Sequence, residues 1–270
     1  MSQAIRRGND LGCAAIQVFV KNASQWKGKT ISPQEAEEFR RAHSESPIGP
    51  LVAHATYLIN LAATNADNLA RSKETMGDEL DRCDTLGISG LVIHPGAHLG
   101  AGVDAGLEKI ADSLAEVLEA RPNNRTKVLL ENTAGQGTLV GFELGHLATI
   151  RDRSGHSARI GVCVDTCHAL AAGYALDEAS GYDGFLSQIK TLFGLENLGC
   201  IHMNDSKFEL GSNRDRHANI GQGEVPLGVF RRLVNDRELE GVPMILETPL
   251  GDDGDGHRHD LKRLKGLIES

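Results

Sequence analysis

The sequence predicts an α/β barrel: parallel strands inside, helices outside. Three observations carry this reading. Short β-branched runs alternate with longer helical patterns along the whole chain, the signature of a parallel sheet covered by helices. Six of the seven apolar runs close on His, Asp or Glu, as expected where strand ends share one mouth. The chain is 270 residues long and no linker of Pro/Ser-rich or highly charged composition divides it, so one domain over residues 1–270 is expected.

In chain order the apolar runs are AAIQVFV (14–20), PLVAHA (50–55), SGLVIHP (89–95), KVLLENT (127–133), IGVCVDT (160–166), GCIHMND (199–205) and VPMILETP (242–249). The opening SQAIRRGNDLG reads as a helix, as do DELDRCDTLG (78–87), LEKIADSLAEVLEA (107–120) and the segment around FLSQIKTLFGL (185–195). Gly87 and Gly199 are expected to end helices just before strands.

The residues closing these runs are His54, His94, Glu131, Asp165, His202 and Glu247. A single strand-end histidine is ordinarily a hydrogen-bonded core residue. Six nitrogen and oxygen donors at one barrel mouth are hard to explain by packing, and their chemistry suits Zn, Mn or Fe. Three further candidates follow the strands: His168, just beyond Asp165, and Asp215 with His217 in the polar segment GSNRDRHANIGQG. An Asp-x-His pair projects both side chains to one side of an extended segment.

The other histidines have plainer readings. His43, His146, His156, His257 and His259 lie in polar contexts and are expected to be exposed. His98 follows His94 by four residues, but the intervening Pro95 and Gly96 break the helix that would make the pair a chelate. The five cysteines are scattered and odd in number, which fits free thiols in a reducing cytoplasm. Cys163 reads as a small core residue rather than a metal thiolate. No apolar run is long enough for a secretory signal or a bilayer span, so no membrane partner is expected. The net charge of −9 argues against a generic nucleic-acid binder.

The words around these residues resemble the endonuclease IV family of apurinic/apyrimidinic-site DNA repair enzymes. They are HATYLINLA (54–62), HPGAHLG (94–100), ENTAGQG (131–137), DTCHALAAGY (165–174), HMNDSK (202–207), DRHANIGQGE (215–224) and LETP (246–249). They span nearly the whole chain in the family's order. The resemblance implies a TIM barrel of xylose-isomerase type with three zinc ions. By that resemblance His54, His94 and Glu131 hold one zinc, and Glu131 bridges to a second held by Asp165, His202 and Glu247. His168, Asp215 and His217 hold the third.

The implied reaction is that of a deoxyribonuclease IV-type endonuclease. It hydrolyses the phosphodiester 5′ to an abasic site in double-stranded DNA, leaving a 3′-hydroxyl and a 5′-deoxyribose phosphate. Glu131 and Glu247 are the implied catalytic carboxylates. Tyr57 is a wedge candidate at the distorted site, and Lys21, Lys207, Arg214 and Arg216 are candidate phosphate contacts. Three dications would bring the charge of −9 to about −3 and concentrate the change at the mouth. A cytoplasmic monomer is expected.

Two departures stand out. Ser24, in KNASQW, occupies a position where family members can carry an arginine that enters the DNA stack. Family members also open with a short strand and a glycine-rich turn, whereas this chain opens on a helix, so only seven barrel strands are readable. A metal-dependent sugar isomerase or epimerase of the xylose-isomerase-like barrels is the competing activity. A one- or two-metal sugar site has no need of His168, Asp215 and His217. An inactive DNA-binding scaffold is a third reading, which retention of all nine ligand types disfavours.

Overall fold

A computed structural model describes residues 1–177, 179–252 and 254–269. The chain opens with α1 (Ser2–Leu11), then β1 (Ile16–Val18), α2 (Pro33–Ser44), β2 (Leu51–His54), α3 (Ala66–Leu86), β3 (Gly90–Ile93), α4 (Val103–Glu119), β4 (Lys127–Glu131) and α5 (Leu144–Arg153). It continues with β5 (Ile160–Asp165), α6 (Thr166–Ala171), α7 (Ala179–Phe193), β6 (Leu198–His202), β7 (Asp205–Ser206), β8 (His217–Ala218), α8 (Leu227–Asn235), β9 (Met244–Ile245) and α9 (Gly256–Lys265).

Among the described residues seven strands form one parallel sheet in the order β1-β2-β3-β4-β5-β6-β9, and β7 and β8 form a separate antiparallel pair. The sheet curls into a nearly closed TIM barrel wrapped by the helices. No backbone ladder joins β9 to β1 among the described residues. The gap is spanned inside by a side chain, with Gln17 Nε2 donating to Glu247 Oε1 at 2.6 Å. Outside, Lys265 Nζ donates to the Gly12 carbonyl at 2.9 Å and ties α9 to the end of α1.

Local signals set the element ends. Ser32 and Glu35 form a reciprocal capping box at the start of α2, with Pro33 in its first turn. Gly87 ends α3 with φ 75°. Gly199 corrects the sequence reading: it lies inside β6, and the glycine that follows α7 is Gly194, also with φ 75°. A Cβ on Gly199 would collide with the Leu129 side chain, so glycine serves close strand approach there rather than a helix end. The segment 78–87 proves to be the end of a longer helix, and the last run contains only a two-residue strand, so Glu247 is carried on extended chain beyond it.

The barrel interior explains the strand-end pattern. Val52, Val92, Leu129, Cys163, Cys200 and Ile245 form a buried apolar cluster, with Ala15 packed against it. Two residues further along each chain segment stand His54, His94, Glu131, Asp165, His202, Glu247 and Gln17. Side chains on a strand repeat face every second residue. Each run therefore places one apolar residue in the plug and the next inward residue at the mouth. The seven mouth residues form one polar ring above one apolar layer.

Candidate metal centre

Three groups made only of His, Asp and Glu donors gather at this mouth among the described residues, with the ligand atoms of each group within 4.8 Å of one another: His54, His94 and Glu131; Glu131, Asp165, His202 and Glu247; and His168, Asp215 and His217. Two more groups include thiols, Cys163 with Cys200 and His202, and Cys167 with Asp165 and His217. Glu131 belongs to two of the three thiol-free groups. Its Oε2 lies 3.1 Å from Nε2 of both His54 and His94, and its Oε1 lies 2.9 Å from His202 Nδ1. His202 Nδ1 is also 3.1 Å from Glu247 Oε2. In the third group, Asp215 oxygens lie 3.2 Å from His168 Nε2 and 3.4 Å from His217 Nε2. Donors ~2.0–2.1 Å from one tetrahedral zinc lie ~3.3 Å apart, so these spacings fit shared cations.

The unused ring nitrogens make the same point. His54 Nδ1 meets the Ala55 carbonyl at 2.7 Å, His168 Nδ1 the Asn132 carbonyl at 2.9 Å, and His217 Nδ1 the Glu247 carbonyl at 3.3 Å. A carbonyl only accepts, so each of these nitrogens carries the proton and its opposite nitrogen is presented as a donor to a cation. Nε2 of His168 and of His217 are buried and make no hydrogen bond. Buried imidazole nitrogens are seldom left so, and both aim at the Asp215 carboxylate.

Local folding places these groups. Asp165 ends β5 and caps α6, its Oδ1 accepting from His168 N at 2.8 Å, which brings His168 back toward the mouth. Asp165 and His202 are register partners on β5 and β6. His217 lies in β8, whose pairing with β7 folds the 205–218 excursion back over the barrel, with Asp215 just before it.

Electrostatics follow from the crowding. Burial pushes the Glu131 carboxyl up, but His202, His94 and the hydrogen bond from His168 outweigh it and hold the group well below the usual carboxylate range. The same contest, won by His168 and His217, holds Asp215 down at about 2. Glu247 is also held low, its burial outweighed by His202. Conversely, burial pushes His168 and His202 down, yet neighbouring acidic groups raise both well above their ordinary value.

Sequence reasoning misses the residues that hold the ligands. Asn204 is fully buried; its Nδ2 donates to Asp165 Oδ2 at 2.6 Å and to Glu247 Oε2 at 3.3 Å, and its Oδ1 accepts from Glu247 N at 2.8 Å. Asn132 Oδ1 accepts from Asp165 N at 2.7 Å. Both asparagines sit within two residues of a ring member, in the words ENT and HMND, which is the available signal. Gln17 escapes notice as well, because its run is the one that closes on no ligand type.

The remaining candidates divide. Lys207, Arg214 and Arg216 are exposed near the third group, and Arg214 stacks 4.6 Å over the Phe208 ring. Tyr57 is 62% exposed, and its ring lies 5.3 Å from that of His54 and 5.7 Å from that of Phe19. Ser24 is exposed on the neighbouring 22–26 segment, its N–H donating to Asn22 Oδ1.

Lys21 must be corrected as a surface contact. Its ammonium lies 3.0 Å from Glu79, with only 2% of the side chain exposed, and it donates to the Gln25 carbonyl. The pair also braces the chain before Tyr57, because Glu79 accepts from Thr56 N. The histidines expected outside are also corrected in part: His43, His146, His156 and His257 are half-buried, and only His259 is exposed. His98 Nδ1 accepts from the N–H groups of Gly100 and Gly102 and organises its own loop. All five cysteines are free; Cys163 and Cys200 face each other at 3.3 Å in the apolar plug.

Comparison with known proteins agrees with this geometry. The family model described as a xylose isomerase-like TIM barrel matches residues 5–267. A probable endonuclease 4 of Chloroflexus aurantiacus is 44% identical over 269 residues, spanning 100% of this chain and 94% of the relative. The chain belongs to the endonuclease IV family. The crystal structure of endonuclease IV from Thermus thermophilus superposes with a TM-score of 0.86 at 33% identity, covering 98% of this chain and 93% of that one. Outside the endonuclease IV family, a D-tagatose 3-epimerase-like protein shares the fold at 18% identity and TM-score 0.75, covering 99% and 94% of the two chains. The barrel alone therefore does not separate nuclease from epimerase; the donor groups at its mouth must. No helix among the described residues is long and apolar enough to cross a membrane.

Proposed function

We propose that residues 1–270 act as one barrel domain that hydrolyses the phosphodiester 5′ to an abasic site in double-stranded DNA, with three zinc ions held by nine ligands: six from the ring, His168 on α6, and Asp215 and His217 at the hairpin. The single observation that carries this reading is Glu131. It is a fully buried carboxylate with one oxygen facing His54 and His94 and the other facing His202. Such a carboxylate is suited to bridge two cations. Bound dications clamp an anionic phosphodiester, lower the pKa of water and stabilise the departing oxyanion.

The chain's own residues do the rest. Glu131 and Glu247 are ionised at neutral pH; the first would hold two cations, one on each oxygen, and the second could accept a hydrogen bond from attacking water. Tyr57 and Phe19 form an aromatic rim from which a planar side chain could enter the gap left by the missing base. Lys207 and Arg216, exposed on the β7–β8 excursion, would take phosphates. The third donor group, His168 with Asp215 and His217, favours this reading over a sugar isomerase, which would leave it idle.

The test is cleavage of a duplex carrying one abasic site at a known position, with both new ends analysed. A 3′-hydroxyl and a 5′-deoxyribose phosphate are expected. Ends produced on the 3′ side of the lesion, or no cleavage by zinc-replete protein, would contradict the proposal.

A further inference from the structure

We propose that Gln17 is a positioning residue that fixes the tautomer of His202 and the orientation of Glu247 in the cage they share with Glu131 and Asp165. This rests on the cation reading above and goes beyond it, because Gln17 is no ligand. Gln17 is the seventh member of the mouth ring, two residues past Ala15, which packs on the apolar plug. Six members of the ring are donors to the candidate cations, and the seventh binds two of those donors instead.

The polarity of the amide gives the contact its meaning. Gln17 Oε1 lies 2.8 Å from His202 Nε2, and Gln17 Nε2 donates to Glu247 Oε1 at 2.6 Å. Glu247 offers only lone pairs to this contact, so the amide must turn its NH2 that way and its oxygen toward His202. That oxygen only accepts, so His202 Nε2 must carry a proton. Nδ1 is thereby left as the ring's cation donor, and it faces Glu131 Oε1 at 2.9 Å and Glu247 Oε2 at 3.1 Å.

The same contact does mechanical work. β1 and β9 are the two edges of the sheet, and Glu247 hangs two residues beyond a two-residue strand. The Gln17 amide holds Oε1 of Glu247 from across that seam, while Asn204 holds Oε2 and the backbone N–H. Partners of this kind to metal ligands commonly change affinity by ~10–100-fold when removed.

The test compares wild type, Gln17→Met and Gln17→Glu. Met keeps the bulk and removes both hydrogen bonds. Glu keeps an acceptor for His202 but sets a carboxylate against Glu247. Zinc release into a chelating dye should be ~10–100-fold faster for one ion in Gln17→Met, with the other ions close to wild type. Independently, imidazole nitrogen NMR of protein kept in excess zinc should show a slowly exchanging Nε2 proton on His202, assigned by its absence in His202→Asn. That signal should persist in Gln17→Glu and vanish in Gln17→Met.

Unchanged release together with an unchanged His202 signal in Gln17→Met overturns the inference and leaves the cation reading standing. A wild type that retains no zinc overturns both. A folded Gln17→Met that loses all ions alike marks Gln17 as merely structural and overturns the positioning role.

Discussion

Glu131 and His202 meet 2.9 Å apart at the mouth of the barrel, and both are completely buried. A carboxylate so placed, with His54 and His94 on its other oxygen, is tolerable only when positive charge surrounds it. Glu131→Gln keeps the shape and removes the charge. Loss of one or two zinc ions per chain is expected, with cleavage of abasic duplex falling at least about a hundredfold. Near-normal cleavage by this variant would sink the bridging role.

The metal-free protein should show an unusual pH profile. Asp215 is held at about 2, below its ordinary 3.8, so the stability it contributes is complete above the ordinary value and lost as pH falls toward 2. His168 and His202 are raised well above 6.5, so their contribution is complete below that value and lost as pH rises through the raised ones. Chelated protein should therefore melt highest in mild acid. Zinc has the opposite preference, because imidazoles must shed protons to bind it. Melting temperatures of chelated and zinc-supplemented samples should diverge from about pH 5 to about pH 8, and chelated protein that is more stable at the upper end contradicts the assignment.

Tyr57 is 62% exposed beside His54, in a position to fill the space of a missing base. Tyr57→Ala should weaken binding to abasic duplex by about 1–3 kcal/mol, the worth of a stacking contact, and weaken intact duplex less. Equal losses on both duplexes, measured by titration at one salt concentration, would make Tyr57 a rim residue only.

Lys21 and Lys207 should behave oppositely. Lys21 is sealed against Glu79, so Lys21→Ala leaves a buried carboxylate without its partner and should destabilise the fold by about 3–5 kcal/mol. Lys207 and Arg216 are exposed, so replacing either with Ala should leave stability unchanged and reduce the salt slope of DNA binding by about 1. Denaturant melts and binding at several salt concentrations check both. A stable Lys21→Ala protein with a reduced salt slope would restore Lys21 as a phosphate contact.

Much of the site is legible in the sequence because strand geometry writes itself there. Each of six runs carries an apolar residue and, two positions on, a donor, as in Val52–His54 and Cys163–Asp165; that period is visible without coordinates. The seventh run hides its member, because Gln17 is not a ligand type and lies before the run's end, and its partners His202 and Glu247 are far away in sequence. Lys21 is misleading for a related reason: nothing local reveals that Glu79, on the next helix but one, faces it. Gly199 misleads because glycine serves both helix ends and close strand contacts, and only the position of Leu129 separates the two. The division of nine donors into three groups comes from the family resemblance. In the structure the reason is physical: β7 and β8 fold Asp215 and His217 onto His168, whose Nε2 faces Asp215 while its Nδ1 lies 3.4 Å from Glu131.

The decisive measurement is zinc content and cleavage of abasic duplex, followed together in the same purified protein as chelator is added and zinc restored. Close to three zinc ions per chain are expected, with cleavage falling as they leave and returning as they are replaced. Protein that carries no zinc, or that cuts abasic duplex equally well once stripped, would contradict a zinc-dependent nuclease.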